Sequence, residues 1–192
     1  MTESDLVAAL LPVCRALETL RVRYYLGGSL ASSAHGVARA SLGADIVAEL
    51  APEHVDAFIS QLAATYYIPF DRVRVATAER RFFNLIHLPT MLKNDVFVSP
   101  GRPFDRQAAG RARPQALGEG PDAPRVPIAS PEDTVLAKLE WFRRSGEISE
   151  RPWWDIIGVL KVVAALDRQY LQRWALSLGV ADLLERALNE AN

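Results

Sequence analysis

Tyr24-Tyr25-Leu26-Gly27-Gly28-Ser29, followed by Asp45 in Ala44-Asp45-Ile46-Val47, is the stretch of this chain whose residue types and spacing best suit chemistry. It reads as a buried strand, a glycine turn, a short helix and a second strand bearing a carboxylate. Glycine lets backbone N–H groups come close to phosphate, and a helix N-terminus favours negative charge. A strand-borne aspartate can hold a divalent cation against those phosphates, so the layout suits a nucleoside triphosphate and its metal. Asp95, in Lys93-Asn94-Asp95-Val96-Phe97-Val98, repeats the carboxylate on another strand. Two carboxylates on neighbouring strands can converge on one Mg²⁺, which prefers oxygen ligands. Gly43 stands where a second carboxylate paired with Asp45 is expected, and glycine offers no ligand.

Plainer readings stand beside these. A glycine pair after a strand also makes an ordinary tight turn, and Ser29 suits helix capping as well as phosphate binding. An inward Asp45 needs a cation, hydrogen bonds or solvent, whereas an outward-facing strand aspartate fits the spacing equally well. His35 reads as a helix-end residue, and His54 and His87 are too scattered to build a metal site with it. Trp141, Trp153, Trp154 and Trp174 fall at helical positions and read as core.

The elements that must position these residues follow from periodicity. Leu6, Leu10, Val13, Leu17 and Leu20 predict a helix over 4–20 with Ser4 as its N-cap. Strands are expected over 22–26 and 44–50, with a helix from Ser29 to His35 between them and Gly36 as its stop. Pro52 opens a helix to about Ala64. Two strands over 82–88 and 92–98 read as a hairpin. Pro100–Pro103 breaks the pattern, and Pro114–Pro127, rich in proline and glycine, reads mostly as loop. Ser130-Pro131-Glu132-Asp133 is a helix start with cap, proline and acids in order. Further helices are expected from about Ser149, Asp167 and Ala181.

The chain has 192 residues, 49 % hydrophobic and 23 % charged, enough for a sizeable core in one domain or a domain with a helical extension. A formal net charge of −1 argues against a general nucleic-acid binder. The arginines of the middle third, Arg72, Arg74, Arg80, Arg81, Arg106, Arg111 and Arg113, read as a solvated face or a local basic groove. The one cysteine, Cys14, excludes an internal disulfide and a cysteine-based zinc site. No apolar run approaches the roughly 20 residues that span a bilayer. A cytoplasmic, bacterial-type protein with no membrane partner is the expectation.

Gly27-Gly28-Ser29, His35-Gly36, Arg39-Ala40-Ser41 and Asp45-Ile46-Val47 resemble the nucleotidyltransferase fold of the DNA polymerase β superfamily. The likeness is to its small bacterial members grouped with abortive-infection and toxin–antitoxin nucleotidyltransferases. Lys93-Asn94-Asp95-Val96-Phe97 looks like the strand carrying that family's third carboxylate. Glu132-Asp133 through Lys138, and Arg151-Pro152-Trp153-Trp154-Asp155-Ile156, are similar to its later lysine and arginine–aspartate motifs. The resemblance implies an α/β (α+β) fold: a nucleotidyltransferase-like mixed sheet flanked by helices over 1–128, with a helical subdomain over 129–192 packed on it.

The same resemblance implies Mg²⁺-dependent transfer of a nucleoside monophosphate from a triphosphate to an acceptor, whether RNA, protein or small molecule. Asp45 would be the second aspartate of an Asp-x-Asp pair and Asp95 the third carboxylate, both holding metal. Two ions would offset charge on the attacking and leaving oxygens. Gly27, Gly28, Ser29, Arg39 and Asp155 would bind the nucleotide, and Lys138 would bring charge to a phosphate. Gly43 and Pro152 depart from the pattern. The first departure leaves three accounts: a pseudoenzyme serving as a non-catalytic nucleotide- or protein-binding module, a substitute ligand such as Glu49, or an inactivating change in a toxin–antitoxin component.

Overall fold

Apolar residues at helical spacing build the first helix, α1 (Glu3–Thr19), whose Ala9, Leu10, Val13, Cys14 and Leu17 are wholly buried. The computed structural model describes residues 3–36, 43–118 and 120–191. Arg39, to which the resemblance gives a nucleotide contact, lies outside the described residues, as do Ala40 and Ser41 of the same motif. Contacts divide the chain into two units, each assembled from two segments: Met1–Gly27 with Ser41–Ile128, and Gly28–Ala40 with Ala129–Asn192.

The first unit is a seven-stranded mixed sheet. Its strands are β1 (Tyr24–Leu26), β2 (Gly43–Ala48), β3 (Tyr66–Tyr67), β4 (Phe82–His87), β5 (Lys93–Val98), β6 (Arg113–Ala116) and β7 (Arg125–Ile128). They lie in the order β3-β4-β5-β2-β1-β7-β6. The pairs β2/β5 and β1/β7 are parallel, and the remaining neighbours are antiparallel. Alternation along β2, β4 and β5 sends Ala44, Ile46, Ala48, Phe83, Leu85, Val96 and Val98 to one buried face.

Helix α1 covers that face at β2 and β5. Pro12, inside α1, has no N–H for the carbonyl one turn back and disturbs the preceding turn. The nearby Ala9 carbonyl accepts from the Tyr66 hydroxyl at 2.8 Å and the Asn94 amide at 2.7 Å. The buried polar groups of β3 and β5 are thus satisfied by one backbone carbonyl of α1. Burial pushes the Cys14 thiol up to about 12 and raises Tyr24 and Tyr66 as well.

The expected hairpin over 82–98 is present as β4 and β5. Three helices complete the unit: α3 (Val55–Leu62), entered through a 3₁₀ turn at Pro52–His54, α4 (Phe70–Glu79) and α5 (Pro103–Arg111). Pro114–Pro127, read as mostly loop, has its two ends paired as β6 and β7 around the remaining loop, and α5 follows the Pro100–Pro103 break. Pro103 occupies a first helical turn, where its missing N–H costs nothing. Pro114 and Pro127 are register partners, so both missing donors fall at one rung of the ladder, beside the edge strand β6. Helix α4 had no sequence signal because only Val73, Ala76 and Thr77 of its ten residues are buried.

The second unit is helical: α2 (Gly28–Ala34), α6 (Pro131–Arg144), α7 (Glu150–Val162), α8 (Arg168–Leu178) and α9 (Ala181–Ala191). The Ser130 hydroxyl oxygen accepts from the Asp133 N–H at 3.1 Å, and Asp167 caps α8 by accepting from the Tyr170 N–H at 2.9 Å. Asp133 is buried and accepts from the hydroxyls of Ser130 and Tyr170, both at 2.6 Å. Trp153 is core as expected, its indole N–H donating to Glu190 and Arg186 lying over its face. Trp141 and Trp154 are instead exposed: the buried stripe of α6 runs through Leu139 and Phe142, and that of α7 through Trp153, Ile156 and Ile157. Among the described residues, no helix is long and apolar enough to cross a membrane.

Candidate functional site

The second face of the sheet carries the sequence's candidate carboxylates. Asp45 on β2 and Asp95 on β5 are register partners in the parallel pair, which sets their backbones about 4.8 Å apart with side chains on one face. Asn84 on β4 is the register partner of Asp95 on its other side. The Gly27 N–H donates to the Asp45 carbonyl at 2.9 Å and extends the row past β1. Asn84, Asp95, Asp45 and Gly27 therefore form one polar line across four strands. All four lie in the first unit.

Asp95 is held from one side only. Its Oδ2 meets the Lys93 ammonium at 2.8 Å, while Oδ1 is buried and has no hydrogen-bond partner among the described residues. A buried polar atom left this way costs about 1–3 kcal/mol, which a cation at Oδ1 would offset. Asp45 is half-buried on its strand.

Gly43 is the register partner of Lys93. A Cβ at Gly43 would strike the Lys93 backbone carbonyl, so the strands approach too closely there for any side chain. Glu49, the possible substitute ligand, lies beyond the far end of β2 and pairs with Arg23 at 3.8 Å. Among the described residues, no group of three or more His, Cys, Asp or Glu side chains is disposed to hold a metal ion.

The remaining candidates belong to the second unit. Gly28 opens α2 with φ +55°, a left-handed conformation that favours glycine and so accounts for the second glycine of the turn. Ser29 lies in the first turn of α2. Lys138 on α6 and Asp155 on α7 are paired with each other at 2.7 Å, with side-chain exposures of 12 % and 4 %. His35 bonds through Nε2 to the Ala129 carbonyl at 2.7 Å, a structural role at the end of α2. In the first unit, the His54 Nδ1 accepts from the Ala51 N–H and the His87 Nδ1 meets the Thr90 hydroxyl. Burial lowers the pKa of His87 below its ordinary value.

Two neighbours of Asp95 escaped the sequence reading. Asn84, a member of the row, becomes one only through strand order and register, whereas Lys93 stands two residues before Asp95 on the same face of β5. For Asn84 the alternation of β4 was the available signal, since it sends Asn84 to the face opposite Phe83 and Leu85.

No family model and no curated protein matches the chain. Solved structures do. An antigenic nucleotidyltransferase-like protein from Paracoccidioides brasiliensis superposes with a TM-score of 0.54 at 18 % identity, covering 97 % of this chain and 91 % of its own. The antibiotic-resistance factor ANT(2'')-Ia superposes with a TM-score of 0.57 at 13 % identity, covering 96 % of this chain and 98 % of its own. Together with the mixed sheet and its helical flanks, these likenesses give the chain a nucleotidyltransferase-like fold.

Proposed function

We propose that this chain binds a nucleoside triphosphate together with one divalent cation, and that it lacks the two-ion centre on which nucleotidyl transfer depends. The observation carrying this reading is the Asp45–Asp95 register pair with its buried, unpartnered Asp95 Oδ1, beside a position 43 closed to any side chain. Mg²⁺ takes one or two carboxylates and fills its remaining positions with water and phosphate oxygens, so two carboxylates fit one ion. They do not fit two.

Asp45 and Asp95 would hold that ion, which supplies positive charge to the phosphates when bound. Asn84, beside Asp95 in the row, offers an amide that donates to a phosphate or sugar oxygen. Gly27 spends its N–H on the Asp45 carbonyl and so fixes the strand that carries the carboxylate. Lys138 is assigned to Asp155, and its charge is spent there.

Calorimetric titration of ATP, GTP, CTP and UTP, with Mg²⁺ and with chelator, tests the reading. Binding is expected with Mg²⁺ only, at least ten-fold weaker in Asp95→Asn and in Asp45→Asn, with no transfer of an α-phosphate label to any acceptor in a crude extract. Metal-independent binding that ignores both substitutions would sink it. Efficient label transfer would return the chain to the enzyme class.

A further inference from the structure

Because β2 and β5 run parallel in full register, Gly43 and Lys93 are neighbours just as Asp45 and Asp95 are. At the first rung, closure of position 43 leaves Lys93 as the side chain that β2 and β5 bring to the open face, with Ile86 of β4 as its other register partner. Its ammonium reaches Asp95, two residues along the same face, at 2.8 Å. Where an Asp-x-Asp pair would bring a further carboxylate beside Asp45, the sheet brings a cation instead.

We infer that the Lys93 ammonium stands in for one of the two cations that a complete centre of this fold would hold, and thereby sets how tightly the site takes its single divalent ion. The inference rests on the one-cation reading above. Lys93 occupies Asp95 Oδ2 and leaves Oδ1, the buried oxygen without a partner, as the atom through which a divalent ion reaches Asp95. Ammonium and metal ion therefore share one carboxylate and repel each other across it.

A unit charge about 6 Å from a divalent ion, in surroundings close to water, weakens its binding roughly ten-fold. Lys93 is half exposed, and an exposed ion pair of this kind is worth little by itself. The lysine thus tunes the metal affinity without excluding the ion. Lys93 is a positioning residue, since it acts on the cation through Asp95.

The test is Mn²⁺ titration of the full chain without nucleotide, with free ion followed by electron paramagnetic resonance. Lys93→Met should bind one Mn²⁺ about ten-fold more tightly than the unaltered chain, and Lys93→Arg should return the original affinity. Asp95→Asn introduced with Lys93→Met should erase the gain. Circular dichroism melts confirm that each variant is folded, which is expected because Lys93 is the half-exposed first residue of its strand. An unchanged or lower Mn²⁺ affinity in Lys93→Met would overturn the inference, as would a gain that survives Asp95→Asn or no Mn²⁺ binding by any variant. The nucleotide titration of the previous section separates the two ideas: nucleotide binding with an Mn²⁺ affinity indifferent to Lys93 overturns this inference alone. An Mn²⁺ gain without nucleotide binding overturns the nucleotide reading and leaves the role of Lys93 standing.

Discussion

At position 43 a ligand is missing and a backbone contact is gained, and the second fact constrains what substitution can restore. The Lys93 carbonyl lies where a Cβ would go, so Gly43→Asp cannot add its carboxylate without parting β2 from β5. Overpacking of this kind costs about 1–3 kcal/mol. Gly43→Asp and Gly43→Ala are expected to lose similar stability in urea denaturation, because the Cβ and not the charge causes the loss. Gly43→Asp is further expected to gain no affinity for Mg²⁺ and nucleotide in calorimetry. A Gly43→Asp chain as stable as the original, with tighter metal binding, would show that the strands yield and that glycine is there for its missing ligand alone. The sequence placed both carboxylates on strands but left open whether Asp45 faces inward or outward; the register shows Asp45 and Asp95 side by side on the face opposite Ile46 and Val96. Closure of position 43 was not legible, since the obstructing atom is backbone from a strand fifty residues away in sequence.

Elements with strong local punctuation were equally legible: α6 from its cap and proline, α8 from Asp167, and the β4–β5 hairpin from two apolar runs. Those missed, α4, α5, β3, β6 and β7, carry few buried residues of their own. The α6–α7 pair shows how an element-level contact changes the meaning of a residue singled out by sequence. Lys138 and Asp155 lie on different helices of one unit and meet at 2.7 Å with little exposure. Removing one partner of such a pair strands the other charge and costs about 3–5 kcal/mol, whereas replacing both with apolar residues of similar size is close to neutral. Lys138→Met is therefore expected to lower stability by that amount, and Lys138→Met with Asp155→Leu to recover most of it in the same urea experiment. Neither should alter Mn²⁺ binding at Asp95. A stable Lys138→Met chain that has lost nucleotide affinity would move Lys138 from a structural pair to a phosphate contact.

On the scale of the whole molecule, each unit is built from segments far apart in the chain, and this decides what can fold alone. The helical unit takes residues 28–40 as well as 129–192. Helix α2 packs on α6 and α7, with Ala31 and Ser32 wholly buried. The His35 imidazole bonds to the Ala129 carbonyl, and Gly36 lies so close to Val162 that a Cβ there would strike its side chain. Periodicity is blind to such pairings, because seven residues of α2 carry no mark of which helices they will join. A fragment of residues 129–192 would leave the α2-facing surface of α6 and α7 in water, and small domains have little stability to spare. That fragment is expected to be helical but loosely packed, without a cooperative melt and with weak near-ultraviolet circular dichroism from its tryptophans. All four tryptophans of the chain lie within it, so the signal reports this unit alone. Joining residues 28–40 to its N-terminus through a flexible glycine–serine linker should restore a cooperative transition and the fixed tryptophan signal. A fragment of 129–192 that melts cooperatively by itself would mean that α6 to α9 already close their own core and that α2 is an addition to it.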